Sequence, residues 1–176
     1  MALVQQVSKK LLKFLVAFSC LITCNAIANA PPTTNALPLP RFASLRSKSV
    51  HLHVGPGNNY PIDWKFIRQG LPVEIIAEFD TWRQIRDWQG TQGWIHKSLL
   101  SGRRTAWVMN EICSLRKEPD EKSKVIARLE PGVVPKLLEC RNKWCRVEAQ
   151  SPDGSSYRGW INRGNLWGVY AHEAKI

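Results

Sequence analysis

Much of what defines this chain is what it lacks. Nowhere in its 176 residues do apolar residues hold a helical period for three turns, which excludes a fold built on amphipathic helices. No glycine-rich phosphate loop precedes a helix, and no serine sits in a nucleophile-elbow motif. Acids are few, 14 Asp and Glu against 25 Lys and Arg, and they are dispersed. Asp80 and Asp87 both fall near turns, so a paired-carboxylate hydrolase finds no support. His51 and His53 share a strand face by the two-residue period and would make half a metal site, but no third ligand accompanies them. These absences point away from an enzyme and away from any metal or other cofactor.

Residues 1–28 differ from the rest. Lys9, Lys10 and Lys13 surround the start of the apolar run Leu11–Ile22, which is too short to span a bilayer, and small residues follow it. This is the pattern of a secretory signal peptide. Cleavage is expected after Ala28, with Ala30 or a retained signal as alternatives; a membrane contact is expected only through an uncleaved signal. Removing 1–28 takes away three lysines and no acids, so the net charge falls from +11 to +8. A basic exported protein favours anionic partners at a wall or membrane surface, and both the export signal and the scatter of its cations argue against nucleic acid. The expected location is periplasmic or secreted. Residues 29–41, with prolines at 31, 32, 38 and 40, read as an extended spacer.

From residue 42 the chain is written in short strands separated by turns, and it is written twice. Trp82-Arg83-Gln84-Ile85-Arg86, then Gly93-Trp94-Ile95, reappears as Trp144-Cys145-Arg146-Val147-Glu148, then Gly159-Trp160-Ile161. Each copy reads as a β-hairpin in residues suited to a half-buried pleated surface. Upstream, Val50-His51-Leu52-His53 matches Cys113-Ser114-Leu115-Arg116, and Gly70 matches Gly132. The second copy gains four residues between the two halves of its hairpin, which are expected in the loop Gln150–Tyr157. Strands are expected at 42–46, 50–54, 64–68, 71–79, 82–87 and 92–96, and again at 105–109, 113–116, 124–129, 133–140, 144–149 and 157–161. A helical turn at Ser98-Leu99-Leu100 closes the first unit.

Of the five cysteines, Cys20 and Cys24 leave with the signal. Cys140 and Cys145 flank a four-residue loop at the ends of successive strands, close enough for a disulfide in an oxidising compartment. Cys113 aligns with the strand residue Val50, which makes it a buried thiol and not a nucleophile.

The run Val50-His51-Leu52-His53-Val54-Gly55-Pro56-Gly57 resembles the opening of bacterial SH3-like (SH3b) domains. Gly70 before a long apolar strand, Trp82-x-x-Ile85, Gly93-Trp94-Ile95 and Leu99-Leu100 continue the resemblance. Leu115-Arg116, Pro119, Gly132, Trp144-x-x-Val147 and Gly159-Trp160-Ile161 repeat it. The resemblance implies an all-β fold of two tandem small SH3-like β-barrels, at 42–102 and 103–168, followed by a tail at 169–176. Glu118 and Asp120 replace the glycines of the first unit's turn, so the second turn is expected to differ. The resemblance also implies a non-enzymatic envelope protein that binds peptidoglycan or an envelope protein or peptide. The alternatives are a protein–protein scaffold without wall binding and a small wall-modifying enzyme. In the first unit Tyr60, Trp64, Trp82 and Trp94, with Arg68, Arg83 and Arg86, are expected to line a groove that stacks on a ligand and attracts its carboxylates. Trp144 and Trp160 are the corresponding candidates in the second unit, whose Lys122–Ile126 segment carries no aromatic.

Overall fold

A computed structural model describes residues 37–109 and 111–173, so the signal peptide and most of the proline-rich spacer lie outside the described residues. The described chain is all-β. The first repeat contains β1 (Arg41–Leu45), β2 (Val50–His53), β3 (Ile62–Phe66), β4 (Pro72–Phe79), β5 (Trp82–Arg86) and β6 (Gln92–His96). A 3-10 turn, Lys97–Leu99, leads into β7 (Leu100–Ser101). The second contains β8 (Trp107–Val108), β9 (Cys113–Arg116), β10 (Val125–Leu129), β11 (Lys136–Arg141), β12 (Trp144–Gln150) and β13 (Ser156–Asn162). A second 3-10 turn, Arg163–Asn165, then precedes β14 (Leu166–Trp167).

The expected closed barrels are not there. The first repeat forms an open seven-stranded antiparallel sheet in the order β3-β2-β6-β5-β4-β1-β7. A barrel requires its outermost strands to share a ladder, and β3 and β7 do not. The sheet still curls around one core: Phe66 on β3 and Leu100 on β7 join Leu45, Val50, Leu52, Val73, Ile85 and Ile95 in a single buried cluster.

The second repeat is split further, into a five-stranded sheet β10-β9-β13-β12-β11 and a separate pair β14-β8. The physical cause lies at Pro135. Proline has no N–H to donate to a ladder and is tolerated mainly at a strand's first position. In the first repeat Pro72 occupies that position on β4. In the second the proline falls one residue later in the aligned sequence, and β11 begins only after it. Residues 104–108 run beside this segment through individual hydrogen bonds, Ala106 N–H to the Pro135 carbonyl (3.0 Å) and Val108 N–H to the Val133 carbonyl (3.0 Å). The strands expected at 105–109 and 133–140 are shortened accordingly.

The four extra residues also fall elsewhere than in the loop. The loops 87–91 and 151–155 are the same length and carry the same closing bond, Asp87 N–H to the Thr91 carbonyl (3.0 Å) and Ser151 N–H to the Ser155 carbonyl (2.8 Å). The insertion instead lengthens β12 and β13 by two residues each, adding the pairs Ala149–Tyr157 and Gln150–Ser156. The glycine of each Gly-Trp-Ile motif has a packing reason. A Cβ on Gly93 would lie 2.9 Å from the His53 carbonyl, and one on Gly159 would lie 2.6 Å from the Arg116 carbonyl.

The two repeats are packed on one another. Trp88 stacks on Trp107 with ring centroids 4.0 Å apart and planes at 15°. Thr105 Oγ1 donates to the Gly70 carbonyl (2.7 Å) and the Arg68 guanidinium donates to the Gly132 carbonyl (2.8 Å). After β14 the chain folds back, and Tyr170 donates its hydroxyl to Glu74 Oε1 (2.7 Å), a buried carboxylate of β4 whose other oxygen accepts from Arg86 Nε (2.9 Å). Tyr170 also packs on Phe42 at 4.6 Å. Burial and the bond to Glu74 push the Tyr170 hydroxyl far above its ordinary value, so it stays a donor.

Candidate functional site

The turn that opens the first repeat shows why its glycines are there. Gly57 N–H bonds to the Gly55 carbonyl (3.0 Å) and Tyr60 N–H to the Gly57 carbonyl (3.2 Å). Neither glycine is at positive φ. Their side-chain space is taken by the Tyr60 ring: a Cβ on Gly55 would stand 2.4 Å from Tyr60 Cδ1, and one on Gly57 3.3 Å from Cδ2. The second repeat makes the same turn, with Asp120 N–H bonded to the Glu118 carbonyl (2.8 Å) and Ser123 N–H to the Asp120 carbonyl (3.1 Å). The expectation of a different turn therefore fails. Without an aromatic to accommodate, the second turn has no use for glycine.

The Tyr60 ring, half-exposed, is one of several exposed apolar side chains at this turn and on the edge strand β3. Val54, Tyr60, Ile62 and Trp64 are between 48% and 55% exposed. Ile62 and Trp64 belong to a strand paired on one side only, with β2. The His53 ring Nδ1–H donates to the Tyr60 carbonyl (2.9 Å), which ties the turn to β2.

The remaining candidates are dispersed. Trp82 is 8% exposed and lies on the opposite sheet face from the core residue Ile85, wedged edge-on between His53 (5.3 Å) and His96 (5.8 Å). Trp94 is half-buried on the same face, paired across the sheet with His53 and Gln84. Trp144 and Trp160 are buried, and the Arg141 guanidinium covers the Trp160 ring at 5.7 Å. The three arginines are all engaged. Arg83 pairs with Glu78 (2.9 Å), Arg86 pairs with Glu74, and Arg68 spans to the second repeat. Of the named groove residues, the structure brings Tyr60 and Trp64 to an open surface and places the arginines elsewhere.

Cys140 and Cys145 face each other across the β11–β12 hairpin and are joined as a disulfide. Cys113 is free and buried; burial, with Glu111 nearby, raises its pKa, which leaves the thiol protonated and poorly nucleophilic. His51 is exposed, and no group of three or more His, Cys, Asp or Glu among the described residues is placed to hold a metal ion.

Two features of the site region have no sequence motif to announce them. Trp88, Trp107, Phe42 and Tyr170 form the contact between the repeats, and the side chains that meet there are far apart in the chain. Residues 37–40, the end of the proline-rich spacer, line a cavity of about 790 Å³ together with Phe42 and Tyr170. This stretch therefore packs against the second repeat's C-terminal segment instead of hanging free.

Two open antiparallel repeats, the first one sheet and the second a five-stranded sheet with a separate strand pair, each hold one small core and define a tandem of SH3-like domains. The family model of the bacterial SH3 domain matches residues 46–102 and again 110–168, and the chain belongs to that family. Modules of this family are non-catalytic. Among solved structures the chain is similar to NlpC2 from Trichomonas vaginalis, with 14% identity over 77% of this chain and 50% of that one, TM-score 0.34. It is likewise similar to NlpC1 from Trichomonas vaginalis, with 13% identity over 76% of this chain and 47% of that one, TM-score 0.32. The chain spans about half the length of each. No curated protein matches it.

Proposed function

We propose that the protein is an exported binding module of the bacterial envelope that engages peptidoglycan, through its wall peptide, at the first repeat. Membership of the bacterial SH3 family supports a wall-associated binding role. The observation that carries the choice of surface is the exposure of four apolar side chains close together in the chain, Val54 and Tyr60 in the turn and Ile62 and Trp64 on the edge strand. Contiguous exposed apolar side chains rimmed by polar ones mark interaction sites. A one-sided edge strand also offers its backbone N–H and C=O groups to an extended peptide. Tyr60 and Trp64 then supply flat faces for contact, while Trp82, Trp144 and Trp160 are buried and unavailable to a ligand.

Co-sedimentation with purified peptidoglycan tests this. Trp64→Ala and Tyr60→Ala are expected to reduce retention at low and high salt alike, since apolar contact is not screened. Trp64→Ala should leave the melt nearly unchanged because the ring is exposed. Trp82→Ala is expected to lower the melt, and any loss of retention it causes follows from unfolding. Full retention by the Tyr60→Ala, Trp64→Ala double variant defeats the assignment of this surface. Absence of retention by the wild type, with a protein partner captured instead, favours the scaffold reading, to which the packing of the two repeats on each other also lends itself.

A further inference from the structure

A second surface lies at the seam of the repeats, away from the aromatic turn. A cleft of about 680 Å³ is lined by Arg68 and Gln69 from the first repeat, Arg103 and Thr105 from the connection, and Val133 and Lys136 from the second. Its size falls in the range of roughly 300–1,000 Å³ typical of ligand sites. A smaller hollow of about 200 Å³ shares Gln69 and Arg103 with it and adds Arg46.

The trough brings three cations, Arg68, Arg103 and Lys136, together with a single carboxylate. Many arginines elsewhere have an acid partner: Arg41 with Glu78, Arg86 with Glu74, Arg104 with Glu173, Arg158 with Glu148. Arg46, Arg68, Arg103 and Lys136 take part in no ion pair among the described residues, although they come from four separate segments. The cleft holds one carboxylate, Glu148, which is opposite Lys136 on the neighbouring strand. That carboxylate is already occupied by Arg158 Nε (2.9 Å) and the Ser156 hydroxyl (3.1 Å). Arg68 is held in place: one N–H is bonded to the Gly132 carbonyl and the guanidinium lies 6.0 Å over the Trp107 ring. A guanidinium fixed in this way presents its remaining donors to the cleft with little further loss of side-chain entropy. The uncharged lining is mixed, with Val133, Val134 and Pro152 beside Gln69, Thr105 and Gln150.

We infer that the seam cleft binds a short acidic peptide, whose carboxylates are taken by Arg68, Arg103 and Lys136 and whose backbone and apolar side chains lie on the mixed remainder. Carboxylate–guanidinium pairing supplies the anchor. A lining that mixes apolar, amide and hydroxyl side chains with the cations favours a peptide over a uniformly charged polymer. Both repeats contribute, so the site requires the inter-repeat packing and is absent from either repeat alone.

Binding of tri-glutamate to the full chain, followed by calorimetry and by the tryptophan fluorescence that Trp107 contributes beside Arg68, tests the inference. Tri-glutamate is expected to bind and tri-glutamine amide is not. Arg103→Gln with Lys136→Gln should weaken tri-glutamate binding by about tenfold or more and leave the melt unchanged, both side chains being exposed. Lys117→Gln with Lys124→Gln removes the same charge from an exposed turn outside the cleft and should have little effect. Equal weakening by the two pairs means attraction to net charge alone and overturns the site. Equal affinity for the amide, no binding of tri-glutamate, or binding of inorganic phosphate in its place overturns the acidic-peptide assignment.

Discussion

Replacing Gly55 by alanine places a methyl group where the Tyr60 ring now lies. The new Cβ would stand 2.4, 2.5 and 2.6 Å from Cδ1, Cε1 and Cγ, about 1 Å inside ordinary contact, so the ring must leave. Because Gly55 is not at positive φ, the backbone itself accepts alanine without strain. A fully buried aromatic removes about 150–250 Å² from water, and Tyr60 is 48% exposed. About 100 Å² is therefore lost on expulsion, which at about 25 cal/mol per Å² is an upper estimate of about 2.5 kcal/mol. Alanine restores about 0.4–1 kcal/mol by restricting the unfolded chain. Gly55→Ala should thus destabilise by about 1–2 kcal/mol. In a Tyr60→Ala background the clash is gone, and the same substitution should be neutral or slightly stabilising. Urea unfolding of the four proteins, followed by far-ultraviolet circular dichroism, gives a coupling free energy expected near 2 kcal/mol. Additivity within about 0.5 kcal/mol would refute the account of this turn. It would also remove the explanation for why the second repeat manages with Glu118 and Asp120.

Three further outcomes follow from the packing. Tyr170→Phe keeps the ring on Phe42 but leaves buried Glu74 one donor short, so a loss of about 2 kcal/mol is expected in the same urea assay; no change would mean that solvent replaces the hydroxyl. Reducing the Cys140–Cys145 disulfide, which closes a very short loop, should cost about 2 kcal/mol by the chain-entropy model. Comparing melts with and without reductant checks it, and an unchanged melt would mean the hairpin is equally ordered without the bond. Finally, burial alone would raise the Glu173 carboxyl, but bonds from Arg104 and the Tyr170 amide outweigh it and hold the group below the usual carboxylate range. Its contribution is present above the unfolded value of about 4.3 and lost as pH falls through the lower folded value. The protection factor of the Tyr170 amide, taken relative to its intrinsic exchange rate, should therefore fall as the pH drops through that lowered value, and protection that persists would contradict the role given to this carboxylate.

The features legible in the residues alone are local ones. The duplicated hairpins, the strand positions and the family could be read because a hairpin is specified by alternation and turn residues within some twenty positions. The facing of Cys140 and Cys145 is local for the same reason. The remaining features depend on contacts between residues distant in the chain. Whether a sheet closes turns on its two outermost strands, and nothing in β3 or β7 announces that they stay apart. Which of eight tryptophans are buried depends on what crosses them: His53 and His96 enclose Trp82, while Trp64 is left open on a strand edge. Alternation gave the two faces of each strand but not the fate of the second face. Trp88 and Trp107, 19 residues apart on different repeats, carry no periodic signal and become partners only because the second unit folds back onto the first. The arginines show the same limit. Their charge is plain in the chain, but a guanidinium reaches far enough to find an acid on another strand. Pairing with Glu74 and Glu78, and its absence at Arg68 and Arg103, was therefore settled by the fold alone.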